Sequence, residues 1–165
     1  MKKLGDDSSA RHDPADENQA TILVVDDEAT IRDLITFMLD ALGYKVLSAR
    51  NAAQALAIAN SSEGDCVSLL ISDLNLPDMS GIVLAAKLWA TRPDWKAVFI
   101  SGSSKEEFAA MGADLSRSAF VAKPFNLRQI TAALHSLTDL QAGLDRAPGM
   151  EASRSPEQNS RGVTR

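Results

Sequence analysis

Five short apolar runs, each followed by a segment with helical spacing, constrain the fold of this chain more than any other feature. The first run is Thr21–Val25 and the last is Ala119–Ala122. The first run is continuous and rich in β-branched residues, which is typical of strands covered on both faces of a parallel sheet. Strands that alternate with helices predict right-handed crossovers and helices on both faces. The sequence therefore predicts one α/β domain over residues 21–140.

The bounds of the apolar runs predict five strands. They are residues 21–25, 44–49, 66–72, 97–100 and 119–122. The second is weaker because Lys45 interrupts its apolar pattern, which favours an edge position in the sheet. Cys66 begins the third predicted strand and is interpreted as a small buried apolar residue.

Helix signals fill the gaps between the strands. In the first helix, apolar residues recur on one face until Gly43 ends the pattern: Ile31, Leu34, Ile35, Met38, Leu39 and Leu42. The third helix is predicted over Gly81–Ala90. Cap residues begin the second, fourth and fifth helices: Asn51, Ser104 with Glu107, and Asn126 with Gln129. The fourth carries Phe108 and Met111 on one face, and Gly112 predicts that it ends early.

Composition and charge argue against several classes of function. Residues 1–20 and 141–165 are polar and charged, which predicts two disordered tails. The net charge is −5 and no basic block occurs, which argues against direct nucleic-acid binding. No apolar run approaches the roughly 18 residues of a membrane helix, and the N-terminus lacks the apolar core of a signal peptide. Because a single cysteine forms no intramolecular disulfide, the sequence fits a cytoplasmic protein.

Chemically reactive side chains follow four of the five predicted strands. They are Asp26 and Asp27, then Asp73, Ser101 and Lys123. Ligands of open parallel sheets bind beyond the carboxyl ends of the strands, so we expect these side chains to gather there. Three neighbouring carboxylates repel one another unless their pKa values rise or a cation joins them. Mg²⁺ fits best, and with a lysine and a hydroxyl it suits phosphoryl transfer to a carboxylate.

Each of these motifs also has an ordinary structural explanation when it is taken alone. The Asp26–Asp27 pair resembles acidic residues in the first turn of a helix, which the helix dipole favours. Asp73 before Pro77, and Ser101 before Gly102, both resemble turns. What favours a functional site is that all four motifs occur, in order, at the ends of separate strands.

The chain resembles the receiver domain of two-component response regulators, in the single-domain, chemotaxis-regulator form. The resemblance covers residues 21–140. It rests on Asp26-Asp27 after ILVV, Asp73 within LLISDLNLPDMSG, Ser101-Gly102 after VFI, and Lys123-Pro124-Phe125. It implies a flavodoxin-like, doubly wound, five-stranded parallel sheet in the order 2-1-3-4-5, with helices on both faces.

The resemblance also implies the roles of the acidic residues. Asp73 would accept a phosphoryl group from a phosphohistidine. Asp27 and the backbone carbonyl of Asn75 would bind Mg²⁺ together with Asp73, and Asp26 would support the metal, largely through water. Lys123 would pair first with Asp73 and then with the phosphate.

Further roles follow from the same resemblance. Ser101 and Gly102 would bind the phosphate, and Ser101 would move inward on activation. Phe120 occupies the aromatic switch position, without the hydroxyl of a tyrosine. The Lys123–Pro124 bond would be cis. Asn75 and Ser103 would tune dephosphorylation.

These roles predict a phosphorylation-switched binding module and not an enzyme, apart from its own phosphorylation and dephosphorylation. Its donor would be a histidine kinase or a histidine phosphotransfer protein. Its downstream partner would be a protein bound by the face of helix 4, strand 5 and helix 5. The sequence does not decide whether phosphorylation also drives formation of a homodimer.

Two alternatives remain at the level of sequence. A Mg²⁺-dependent phosphohydrolase with an aspartate nucleophile would need a D-x-D motif after the first strand, where this chain has Asp26-Asp27-Glu28. It would also need a cap domain, and none is evident. The other alternative is a degenerate receiver that binds its partners constitutively, against which the intact acid pair, Asp73 and Lys123 argue.

Overall fold

The structure is a computed structural model that describes residues 20–144. The strands are β1 Thr21–Val25, β2 Lys45–Ala49, β3 Val67–Asp73, β4 Lys96–Ser101 and β5 Ser118–Ala122. The helices are α1 Ala29–Ala41, α2 Ala52–Ala59, α3 Gly81–Thr91, α4 Lys105–Ala110 and α5 Leu127–Leu144. The predicted domain boundary at residue 140 falls inside α5. The rest of both predicted tails, residues 1–19 and 145–165, lies outside the described residues.

The five strands form one parallel sheet in the order β2-β1-β3-β4-β5. This confirms the predicted fold, and β2 lies at an edge, as the interruption at Lys45 indicated. The order reverses between β1 and β3, so the ends of these two strands flank the crevice in which ligands of such sheets bind. None of the helices between residues 20 and 144 has the length and apolar character required to cross a membrane.

Two apolar cores lie on opposite faces of the sheet. Leu23 and Val25 of β1 face the core formed with α2, α3 and Phe108 of α4. Ile22 and Val24 face the core formed with α1 and α5. Every residue of β1 is buried. Because both faces of this strand are covered, its sequence is apolar without alternation.

Local cap chemistry sets several of the helix ends. The Asn51 side chain accepts a hydrogen bond from the backbone N–H of Gln54 at 2.8 Å, as predicted for the start of α2. Ser104 and Glu107 form the predicted capping box of α4. Gly43 and Gly112 follow α1 and α4 with φ of 85° and 77°, a conformation that suits glycine.

The early end of α4 is confirmed, but the prediction for Met111 is wrong. Phe108 is buried, whereas Met111 is 51% exposed. The helix ends at Ala110, and Met111 occupies the cap position. Met111 therefore lies just beyond the helix that the sequence predicts to carry it.

The prediction for Cys66 is also wrong, because this residue is exposed and precedes β3. Residues Ser62–Cys66 form a short 3-10 helix. Gly64 packs within it so closely against the end of α2 that a Cβ atom would collide with the carbonyl oxygen of Ile58. This packing turns Gly64 inward and leaves Cys66 towards solvent.

Candidate functional site

Three aspartates meet where β1 and β3 end. Asp26 and Asp27 directly follow β1, and Asp73 is the last residue of β3. They offer carboxylate oxygens that all lie within 4.8 Å of one another. Asp26 is buried, Asp73 is partly buried and Asp27 is exposed. The arrangement thus has a buried acid at its base and an exposed acid at its rim.

Lys123 reaches this cluster from the end of β5. Its Nζ atom lies 2.7 Å from Asp73 Oδ2 and 3.3 Å from Asp26 Oδ2. The Lys123–Pro124 peptide bond is cis, as the resemblance implied. Burial acts to lower the pKa of Lys123, but its contacts with the Asp73 and Asp26 carboxylates outweigh this and raise the pKa above its ordinary value. Lys123 is therefore a charged ammonium shared by two acids.

Asp26 is the buried carboxylate of the cluster, so its charge is removed from water. Burial raises the pKa of its carboxyl group above the ordinary value, and the Glu28 N–H and Lys123 offset only part of that effect. The Glu28 N–H donates to Asp26 Oδ1 at 2.9 Å. A cation bound beside Asp26 would favour its ionised form.

The loop after β3 contacts Asp73 through its backbone. The N–H of Asn75 donates to Asp73 Oδ1 at 2.9 Å. At the other end of the loop, a Cβ atom on Gly81 would collide with the carbonyl oxygen of Asp73. Glycine is therefore required for α3 to begin this close to the acid.

Ser101, Gly102 and Ser103 lie at the end of β4, the strand that pairs with β3. The Ser101 side chain is buried, and its Oγ accepts a hydrogen bond from the Ser103 N–H at 3.1 Å. The Ser101 carbonyl accepts from the Lys123 N–H at 2.7 Å, which joins this segment to the lysine. Gly102 is exposed, and a Cβ atom there would meet nothing within 4 Å.

Phe120, the predicted switch residue, belongs to a cluster of three aromatic rings. It is half-buried on β5, and its ring centroid lies 5.0 Å from that of Phe108 on α4. The Phe108 ring in turn lies 5.3 Å from that of Phe99 on β4. Because Phe99 is two residues before Ser101, this aromatic cluster joins α4 to both strands that deliver Ser101 and Lys123.

Sequence reasoning missed three residues that shape this site. Arg32 donates to the Asp26 carbonyl at 2.8 Å, and the Ser72 hydroxyl donates to the Asp73 carbonyl at 2.8 Å. Asp78 accepts hydrogen bonds from the N–H groups of Ala52 and Ala53. The only local signal for Asp78 is its position after Pro77, which by itself indicates an ordinary turn.

A family model for the response regulator receiver domain matches residues 22–135. The chain belongs to the response regulator receiver family. The matched residues include all three aspartates of the cluster and Lys123.

Relatives of this receiver domain occur as parts of larger proteins. The phosphate regulon transcriptional regulatory protein PhoB of Pseudomonas aeruginosa is 34% identical over 119 residues, which cover 71% of this chain and 51% of PhoB. The sensor kinase CckA of Brucella abortus is 33% identical over 122 residues, which cover 74% of this chain and 13% of the kinase. The chain thus spans about half, or less, of the length of these curated relatives.

A solved structure supports the same assignment of the fold. The response regulator TrrA of Thermotoga maritima, in complex with Mg²⁺ and BeF, gives a TM-score of 0.60 at 28% identity. The match covers 72% of this chain and 99% of that one. The fold of this receiver domain is therefore found in a protein crystallised with Mg²⁺ and BeF.

The aspartate cluster of this receiver domain fits a hard divalent cation. Mg²⁺ is bound in proteins by one or two carboxylates, with waters and phosphate oxygens completing the octahedron. Asp26, Asp27 and Asp73 supply only oxygen donors, within 4.8 Å of one another. The raised pKa of Asp26 indicates that the protein alone does not fully compensate the buried charge.

In the absence of metal, the buried carboxyl of Asp26 should make the stability of the fold depend on pH. Between the ordinary value of 3.8 and the raised pKa, the folded state binds more protons at Asp26 than the unfolded state does. This group therefore makes the free energy of unfolding fall as pH rises through that interval. We expect Asp26→Asn to remove this contribution and to stabilise the metal-free protein at neutral pH. Urea unfolding in EDTA at a series of pH values measures it, and identical pH profiles for both proteins would refute it.

Proposed function

We propose that this receiver domain accepts a phosphoryl group from a phosphohistidine on Asp73, in a reaction that depends on Mg²⁺. One observation carries the proposal: the Asp73 carboxylate lies 2.7 Å from the Lys123 ammonium, within a cluster of three aspartates. That set contains a nucleophile, a positive charge for the phosphate oxygens and the donors of a cation site.

The chemistry requires Asp73 to act as a carboxylate. One of its oxygens attacks the phosphorus atom and the P–O bond forms as the P–N bond to the donor imidazole breaks. The bonding electron pair stays on the imidazole nitrogen, which takes up a proton from water. Lys123, which already contacts Asp73 Oδ2, neutralises charge on the oxygens of the transferred group.

Mg²⁺ would be held by Asp27, Asp73 and the backbone carbonyl of Asn75, with Asp26 supporting it largely through water. When bound, it supplies charge neutralisation and orientation at the phosphoryl oxygens. Asp27 is the exposed member of the cluster, which suits a ligand that exchanges with solvent. The partly compensated charge of Asp26 favours the same cation.

The phosphorylated state would be sensed by Ser101 and Phe120. The new group adds a charge of about −1.5 to −2 beside Asp73. We expect Ser101 Oγ to turn from the Ser103 N–H towards a phosphate oxygen. Phe120 and Phe108 would transmit the change to α4, because their rings are stacked. Asn75 and Ser103 would set the lifetime of the acyl phosphate.

The response would be read by a downstream protein on the face of α4, β5 and α5. A groove of about 490 Å³ lies between these elements, and the Phe108 and Phe120 side chains line it. Leu115 also lines the groove and is 54% exposed. The phosphoryl donor would be a histidine kinase or a histidine phosphotransfer protein. The domain itself would be a switch in the cytoplasm and not a catalyst of repeated turnover.

The second prediction tests this function with a small phosphodonor such as acetyl phosphate. Because the cation and Lys123 both offset the charge of the incoming group, we expect one phosphoryl group per chain in Mg²⁺ and roughly 10²-fold slower phosphorylation in EDTA. Intact-mass spectrometry at timed intervals measures both rates. Steady release of phosphate from simple esters, without a lasting adduct, would instead support a phosphohydrolase.

A further inference from the structure

The loop between β3 and α3 is tied at its tip to a helix far away in the sequence. We name residues 74–80 the acceptor loop because they follow Asp73 directly. The Asp78 carboxylate in this loop accepts hydrogen bonds from the backbone N–H groups of Ala52 at 3.0 Å and Ala53 at 2.8 Å. The first residues of α2 are therefore held by a side chain that lies 25 and 26 positions later in the chain.

Asp78 and Asn51 share the N-terminus of α2. Asn51 accepts from the Gln54 N–H at 2.8 Å, whereas Asp78 takes the two preceding N–H groups. Helices leave these first N–H groups without partners of their own, and acidic side chains suit that end. The amides of Ala52 and Ala53 lower the pKa of Asp78, so the anion that makes both contacts is the prevailing form at neutral pH.

The other end of the acceptor loop contacts the phosphoryl-acceptor residue. The Asn75 N–H donates to Asp73 Oδ1, and Asn75 and Ser80 form a β-bridge that closes the loop. Asp78 lies inside this closed loop, two residues before Ser80. The bridge therefore connects the segment that carries Asp78 to the backbone of Asn75.

The contact with α2 also links both halves of the acid cluster. The segment that precedes α2 accepts a hydrogen bond from Asp26, whose N–H donates to the Ala49 carbonyl at 3.2 Å. Asp78 therefore connects the chain segment beside Asp26 to the loop beside Asp73. The methyl side chains of Ala52 and Ala53 form no hydrogen bond that could replace this contact.

We propose that Asp78 is a positioning residue for the Mg²⁺ site, which it serves by fixing the acceptor loop against α2 so that the Asn75 carbonyl keeps its place. The inference rests on the proposed function, because it takes Asn75 as a backbone ligand of Mg²⁺. Partners that orient the ligands of a metal contribute about 10- to 100-fold to its affinity. Asp78 orients the Asn75 carbonyl indirectly, by holding the backbone of the acceptor loop.

The third prediction tests this role by comparing Asp78→Ala with Asn51→Ala in the full chain. Both variants remove hydrogen bonds from the N-terminus of α2, but only Asp78→Ala releases the acceptor loop. We expect Mg²⁺ to bind about tenfold more weakly to Asp78→Ala and with unchanged affinity to Asn51→Ala. Asp78→Asn, which keeps one carbonyl oxygen as an acceptor, should lie between Asp78→Ala and the wild type. Isothermal titration with MgCl₂ measures the affinities, and thermal unfolding in EDTA compares the loss of stability.

Binding by the wild type with a selective loss in Asp78→Ala supports the positioning role. Equal affinities of the wild type and Asp78→Ala would overturn it and leave the proposed function intact. Equal losses in both alanine variants would also overturn it, because the effect would then come from α2 alone. A wild type that binds no Mg²⁺ would overturn the metal site itself and this inference with it.

Discussion

Asp73→Asn is expected to reduce the phosphorylated form to below detection while the fold is preserved. Asparagine has nearly the same shape, but its neutral amide oxygen is a far weaker nucleophile than a carboxylate. The hydrogen bond from the Asn75 N–H to Oδ1 can persist. Lys123 keeps Asp26 as a partner at 3.3 Å, so the substitution does not leave it unpaired.

A matched control for this variant is Asp94→Asn. Asp94 is exposed and lies two residues before β4 begins, at the opposite end of the sheet from Asp73. The Asp94→Asn substitution changes the net charge by the same amount as Asp73→Asn and leaves the acid cluster intact. Intact mass after treatment with acetyl phosphate and Mg²⁺ should show the adduct in Asp94→Asn and the wild type. An undiminished adduct in Asp73→Asn would refute the assignment of the acceptor.

Lys123→Met is expected to change phosphorylation and Mg²⁺ binding in opposite directions. Methionine keeps an unbranched side chain but removes the charge that contacts Asp73 at 2.7 Å and Asp26 at 3.3 Å. Loss of a preorganised group that stabilises a transition state typically costs about 10²- to 10³-fold in rate. Mg²⁺ should bind more tightly, because the variant removes a neighbouring positive charge while all three carboxylates remain.

The same variant should lose stability when no metal is present. The three carboxylates would share one region without a cation, which destabilises the folded state by roughly 1–3 kcal/mol. This loss is smaller than for a fully buried pair, because the Lys123 side chain is 24% exposed.

Lys87→Met, on the exposed side of α3, is the control. Timed mass spectrometry, MgCl₂ titration and urea unfolding in EDTA measure the three effects. A phosphorylation rate equal to that of the wild type would contradict the role given to Lys123.

The sheet and the acid cluster could be predicted from the sequence because their signals are local and repeated. Each strand coincides with an apolar run in the sequence. The reactive side chains each follow the end of such a run: Asp26, Asp27, Asp73, Ser101 and Lys123. Parallel strands then bring these ends to one edge, whatever the details of packing. The strand order, the cis bond before Pro124 and the individual roles came from the resemblance to receiver domains.

The features that could not be predicted depend on tertiary placement. Asp78 meets Ala52 and Ala53 only because α2 and the acceptor loop are neighbours in the folded chain. Nothing near Phe108 in the sequence indicates that its ring lies between those of Phe99 and Phe120. Cys66 was assigned to the strand because it adjoins an apolar run. The 3-10 turn that exposes it follows from the packing of Gly64 against α2.

The position of the phosphoryl group in the modified protein tests the central claim most directly. Wild-type chain phosphorylated in Mg²⁺ can be reduced with borohydride, which converts an aspartyl phosphate into homoserine, and then digested and mapped by mass spectrometry. We predict homoserine at residue 73 and unmodified aspartate at residues 26 and 27. Modification at either of those aspartates, or a phosphoryl group retained on a histidine or a serine, would contradict the account.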